Sequence, residues 1–134
     1  MPIGPSEFVQ RLVERVPEVR PILNEHLLDN DELLLHVFVA RVRDLAIDAF
    51  DSDRRGLAHR IVETFELGLH DGNEAVENAV AVSFVEDTPW WDPDRAEFIE
   101  TWPTGLRNEA ERQSQEASAR QSRTEHEQRP KGAE

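Results

Sequence analysis

Leu33-Leu34-Leu35-His36-Val37-Phe38-Val39-Ala40 is the stretch that decides how this chain is read. Seven of its eight side chains are apolar, with no strand-like alternation and no turn residue. A segment apolar all round is the mark of a central helix, and it falls well short of the roughly 20 residues of a membrane span. From Val42 the pattern becomes one-sided, with Leu45, Ala46, Ala49 and Phe50 at helical spacing. The spacing predicts one long helix over 31–50, buried first and surface-lying later. It is preceded by a turn and cap at Asp29-Asn30-Asp31 and ended by Asp51-Ser52-Asp53.

The same period runs outward in both directions. Upstream, Phe8, Val9, Leu12, Val13 and Val16 follow Ser6, a good N-cap, and Pro17 stops that helix. A second helix is expected from near Glu18, with Val19, Ile22, Leu23 and Leu27 inward and Pro21 in its first turn. Downstream, Leu57, Ala58, Ile61, Val62, Phe65 and Leu69 mark an amphipathic helix over roughly 54–69, closed by a turn at His70-Asp71-Gly72-Asn73. Glu74 opens another, with Ala75, Val76, Ala79, Val80 and Phe84 inward. Residues 79–85 have strand composition, yet a lone strand has no partner to pair with, so helix is favoured. Asp92-Pro93 is a helix start, with Ala96, Ile99 and Trp102 on the inner face, Pro103 as its stop, and Thr104 capping a last helix through Leu106 and Ala110. The expected fold is all-α: a compact bundle of six to seven helices in antiparallel pairs, with a disordered C-terminal tail. The helical domain is placed at 1–112. The polar segment 113–134, whose apolar residues are only Ala117, Ala119 and Ala133, is read as helical or disordered.

The 134 residues suit one domain able to bury a core without staples. There is no cysteine, so neither disulfides nor thiolate metal sites arise. No targeting segment is visible at the N-terminus, and a cytoplasmic location is expected. Acidic residues number 28 against 15 basic ones, net −13. Residues 1–104 carry the whole excess, and 105–134 balance to zero. Such a field repels phosphate backbones and attracts basic proteins, so a basic protein and no nucleic acid is expected as a partner; with no apolar run long enough to span, no membrane is expected either. Plain solubility accounts for the same charge equally well.

The chemistry of catalysis is thinly represented. Glu32/His36 and Glu66/His70 are each four apart, the spacing of one helix face. Two such faces suggest a metal site, although bundle metal sites use Glu and His three apart with further carboxylates. A capping acid, a helix-end histidine at His70 and a core histidine at His36 explain these residues more simply. His70-Asp71 matches a two-letter phosphohydrolase signature that His26 and His59 do not extend. Ser6, Ser52 and Ser83 lack a glycine elbow, and the six glycines form no phosphate loop. No metal, no cofactor and no catalytic residue is assigned.

The candidate contact residues are Trp90 and Trp91, set in a proline-bounded loop with Glu86, Asp87, Asp92 and Asp94 around them. An aromatic anchor ringed by charge is hot-spot anatomy; the competing role is for both indoles to clamp the last helices onto the domain. Asp44, Asp48 and Asp51 form a second acidic strip along the outer face of the long helix.

Leu33–Phe38, the run Asn78-Ala79-Val80-Ala81-Val82-Ser83-Phe84-Val85-Glu86 and the Trp90-Trp91 loop together resemble a family of small, uncharacterised, acidic all-helical bacterial proteins over about residues 6–110. The resemblance implies a fold but supplies no functional residues. Size and charge are similar to those of toxin-immunity proteins. The function expected is an acidic binding protein that covers a basic surface on a partner, of immunity or antitoxin type, and not an enzyme. The alternatives are a small metal-dependent hydrolase using the Glu/His pairs and a self-associating structural subunit.

Overall fold

In a computed structural model, residues 2–88 and 92–127 are described, with side chains to residue 119. Among them the chain forms seven α-helices: α1 (Pro5–Arg15), α2 (Arg20–Asn30), α3 (Leu35–Asp51), α4 (Arg55–Asp71), α5 (Glu74–Ala79), α6 (Pro93–Glu100) and α7 (Thr104–Glu127). A 3-10 turn (Pro17–Val19) leads into α2, and a π-helical segment (Val80–Glu86) continues α5. The all-α reading is correct. The only β pairing among the described residues is a single parallel bridge between Ile3 and Gly72, which fastens the N-terminal lead to the α4–α5 turn.

An aromatic chain crosses the core. Phe8 of α1 meets Phe65 of α4 at 6.0 Å between ring centroids, and Phe65 meets Phe84 of the π-segment at 4.5 Å. Phe84 touches Trp102 at 5.1 Å, Trp102 touches Phe98 at 5.7 Å, and Phe98 reaches Phe50 of α3 at 5.2 Å. Tilted and edge-on contacts of this kind add to the burial of large apolar rings. Gly68 permits the first link, because a Cβ there would stand 2.6 Å from the Phe8 ring. α3 and α4, joined by the three residues 52–54, pack along their length, and α7 closes the body against α4 and the π-segment.

Several boundaries differ from the sequence reading, for local reasons. Gly4 rather than Ser6 occupies the α1 cap, because Pro5, with its fixed φ, suits the first helical position. The long helix begins at Leu35 and not at 31: Asp31 adopts the left-handed conformation (φ 61°) that ends α2, and Leu34 is extended. The expected all-round burial at its start fails with it. His36 and Val37 are exposed, and the fully buried histidine is His26. On α2 the predicted inner residue Leu27 is 40% exposed. On α6 Ala96 is exposed, and Phe98 fills the core in its place. Helix α7 continues unbroken across the boundary placed at 112, and residues 128–134 lie outside the described ones.

The π-segment is where the sequence looked half strand. Its wider turn is supported by side chains from two neighbours: Arg43 of α3 donates to the Ser83 carbonyl (2.9 Å), and Gln113 of α7 donates to that of Ala81 (3.0 Å). Asp87 N–H reaches back five residues to the Val82 carbonyl.

Candidate functional site

Helix α3 organises most of the predicted contact residues. Asp44, Asp48 and Asp51 are all exposed, on the outer stripe opposite the buried Val42, Ala46 and Ala49. Each has an arginine. Asp44 pairs with Arg43 (2.9 Å), Asp48 with Arg54 (2.8 Å) and Asp51 with Arg95 (3.0 Å). Arg43, only 15% exposed, also approaches Asp87 at 3.6 Å. It thereby joins an acid of α3 to the acid that ends the π-segment.

The same helix thus receives both flanks of the tryptophan loop. Asp87, before it, is held at Asp44 by Arg43; Arg95, after it, is held at Asp51. The two anchor points are seven residues apart, about 10 Å along a helix axis. Glu86 is exposed beside Asp87. Asp92 is less free: its carboxylate accepts the Asp94 N–H at 2.9 Å and caps α6. Asp94 is exposed in the first turn. Trp90 and Trp91 themselves lie outside the described residues, as does Pro89.

The Glu/His pairs resolve into structural parts. Glu32 stands in the turn before α3, so it shares no helix face with His36. His36 Nδ1 instead lies 2.9 Å from Ser83 Oγ, giving that buried hydroxyl a partner. This Ser–His contact was not visible in sequence, because its partners are 47 residues apart. Glu66 is a cap for another helix: its oxygens accept the Gly105 and Leu106 N–H groups at 2.9 and 2.8 Å. It also binds His70 Nε2 at 2.8 Å. Gly105 leaves room for this approach: a Cβ there would stand 2.5 Å from His70 Nε2 and 2.6 Å from the Glu66 carboxylate, so those side chains would have to shift. A carboxylate committed to two backbone donors at a helix N-terminus is placed for structure. Among the described residues no three His, Asp or Glu side chains converge as metal ligands.

His26 is the functional-looking residue that sequence reasoning passed over. Its ring is fully buried against Phe38 (5.8 Å between centroids), and Nε2 accepts the Leu34 N–H at 3.0 Å. A backbone N–H only donates, so Nε2 is the unprotonated nitrogen. The ring replaces the helical partner that Leu34 N–H lacks, and so fixes the α2–α3 corner. The one available signal was its position four residues after Ile22 on the inner stripe.

Two other acids are titration-shifted. Hydrogen bonds from the Arg60 guanidinium at 2.7 and 3.1 Å hold Glu18 below the usual glutamate range. At Glu109 burial acts upward, but bonds from Arg112 and Gln113 outweigh it and leave the carboxyl lowered.

A model of the DUF7674 family, a domain of unknown function, matches residues 9–116. The chain belongs to that family. The matched span holds the whole α3 strip, both flanks of the tryptophan loop, His26 and Glu66, and leaves out Phe8 and the end of α7. No curated protein and no solved structure matches the chain. No helix among the described residues is long and apolar enough to cross a membrane.

Proposed function

We propose that this protein is an acidic helical binding protein that covers a basic surface on a partner protein, acting in the cytoplasm as a stoichiometric inhibitor of immunity type, without catalysis or cofactor. The observation that carries the reading is the anchorage on α3 of both flanks of residues 89–91, Asp87 through Arg43 and Arg95 through Asp51. It holds Glu86 and Asp87 on one flank of the sequence segment that bears two indoles, and Asp94 on the other, against the helix that carries Asp44, Asp48 and Asp51. Acids so gathered steer a basic partner and fix its register, and an aromatic anchor supplies contact area at low entropic cost. The same charge disfavours a nucleic acid as the target.

The test is affinity enrichment from the native host with the immobilised full chain, beside a Glu86→Gln/Asp87→Asn/Asp94→Asn variant. A basic protein should be retained at low ionic strength, weakened at high ionic strength and weakened in the variant. Retention of a partner that is indifferent to both would reject the reading.

A further inference from the structure

Among the described residues the exposed large hydrophobic side chains are four, and all fall within eleven residues at the α2–α3 corner. Leu28 is 81% exposed, Val37 47%, Leu27 40% and Leu34 38%. Scattered single leucines on a surface are ordinary, but apolar exposure gathered at one corner marks an interaction site. The corner is also built rather than loose. Asp31 turns the chain in the left-handed conformation, the His26 ring binds Leu34 N–H, and Glu25 reaches Arg41 at 3.2 Å across the two helices.

The charge around it identifies the occupant. Asp29, Asp31 and Glu32 are exposed at the turn, and among the described residues none of them has an arginine or lysine within ion-pair distance. Along α3, Val37 shares its stripe first with Arg41, whose charge Glu25 answers, and then with Asp44, Asp48 and Asp51, seven, eleven and fourteen residues beyond Val37. The apolar corner therefore runs into the acidic face. A second copy of this chain, net −13, would bring like charge against these acids. A cationic amphipathic helix would bring leucine-like side chains to the corner and ammonium or guanidinium groups to the acids.

We infer that the α2–α3 corner is a docking surface for a cationic amphipathic helix of the partner, with Leu28 and Val37 as its apolar contacts and Asp29, Asp31 and Glu32 as its charged rim. This rests on the reading of the protein as a binder of basic partners and names where and how such a partner docks.

The test uses the full chain and a synthetic peptide of about five helical turns, with leucines at i, i+3, i+4 and i+7 and lysines elsewhere. Fluorescence anisotropy should show binding, with amide shifts in NMR centred on residues 27–37. Leu28→Ala/Val37→Ala should weaken it at least tenfold, and Asp29→Asn/Asp31→Asn/Glu32→Gln should weaken it and flatten its salt dependence. Asparagine tolerates the conformation at Asp31, so the rim variant keeps its turn. An acidic peptide with glutamates for lysines should not bind. No binding of the cationic peptide, equal binding of the acidic one, or shifts confined to the Asp44–Asp51 face would overturn the inference. So would concentration-dependent dimerisation lost in Leu28→Ala/Val37→Ala, which would make a second copy the occupant. Shifts confined to the Asp44–Asp51 face would leave the proposed function standing while removing this docking site.

Discussion

Two acidic regions of this molecule, twelve residues apart along the chain, are built in opposite ways. Along α3, Asp44, Asp48 and Asp51 each face an arginine, and two of those arginines hold other elements in place. At the α2–α3 corner, Asp29, Asp31 and Glu32 stand beside exposed leucines with no such partner among the described residues. A paired acid has already found its counter-charge within the fold, and a new cation must compete for it. An unpaired acid next to apolar surface offers both terms of a contact at little cost of rearrangement. The difference teaches that acids can serve a partner in two ways: paired ones contribute long-range steering, and unpaired ones beside apolar surface offer direct contacts.

The contrast breaks most visibly at His26. His26→Ala removes a buried ring and leaves Leu34 N–H without its acceptor, so the corner should lose its support at a cost of roughly 2–4 kcal/mol. Chemical denaturation measures the loss, and His26→Gln, which keeps an acceptor, should recover part of it. An alanine variant as stable as the parent would show that the corner is held by something other than the ring. On the paired side, Arg43→Ala should cost about 1–2 kcal/mol, because it strips a donor from the Ser83 carbonyl and leaves Asp44 and Asp87 without the cation between them. Asp48→Asn, whose pair is exposed on both sides, should change stability by less than about 1 kcal/mol, an effect that fades with added salt.

Sequence period alone was enough to place most helices, because burial of one stripe is what stabilises each of them. It failed where that stripe was not the deciding force. Leu33 to Val37 read as a buried helix by composition, but the left-handed Asp31 and extended Leu34 set the helix start later and turn Val37 outward. His26 looked like an ordinary polar position because its acceptor role depends on an N–H eight residues away. Glu66 looked like half of a metal pair because its partners, Gly105 and Leu106, are 39 and 40 residues distant. The acids of the candidate surface were legible as a cluster. Which of them already had arginines was not, since Arg95 and Arg54 reach theirs only through the fold.

The paired class has a pH signature of its own. Glu18 is lowered by the Arg60 guanidinium, so the pair stabilises the fold above the unfolded glutamate pKa of about 4.3. That contribution is lost as pH falls through the lower folded value. Arg60→Met should return the Glu18 carboxyl resonance to an ordinary midpoint, and the stability gap between variant and parent should be present at neutral pH and close in acid. A gap that persists unchanged in acid would assign the effect to packing of the arginine stem.

The smallest effect is the most discriminating. If Leu28 and Val37 are surface contacts reserved for a partner, they contribute almost nothing to the isolated fold. Leu28→Gln and Val37→Gln should each move stability by no more than about 0.5 kcal/mol, a shift of roughly 2 °C for a domain of this size. The control is Val39, two residues from Val37 and fully buried. Val39→Gln places an amide in the core and should be severely destabilising, by more than about 2 kcal/mol. A helix turns by 100° per residue, so the two valines point to opposite sides of one turn, and the same substitution samples a face that packs and a face that waits. Differential scanning of the three variants decides it. If Leu28→Gln or Val37→Gln melts as early as Val39→Gln, those side chains are part of the core, and the distinction between the corner and the paired strip disappears.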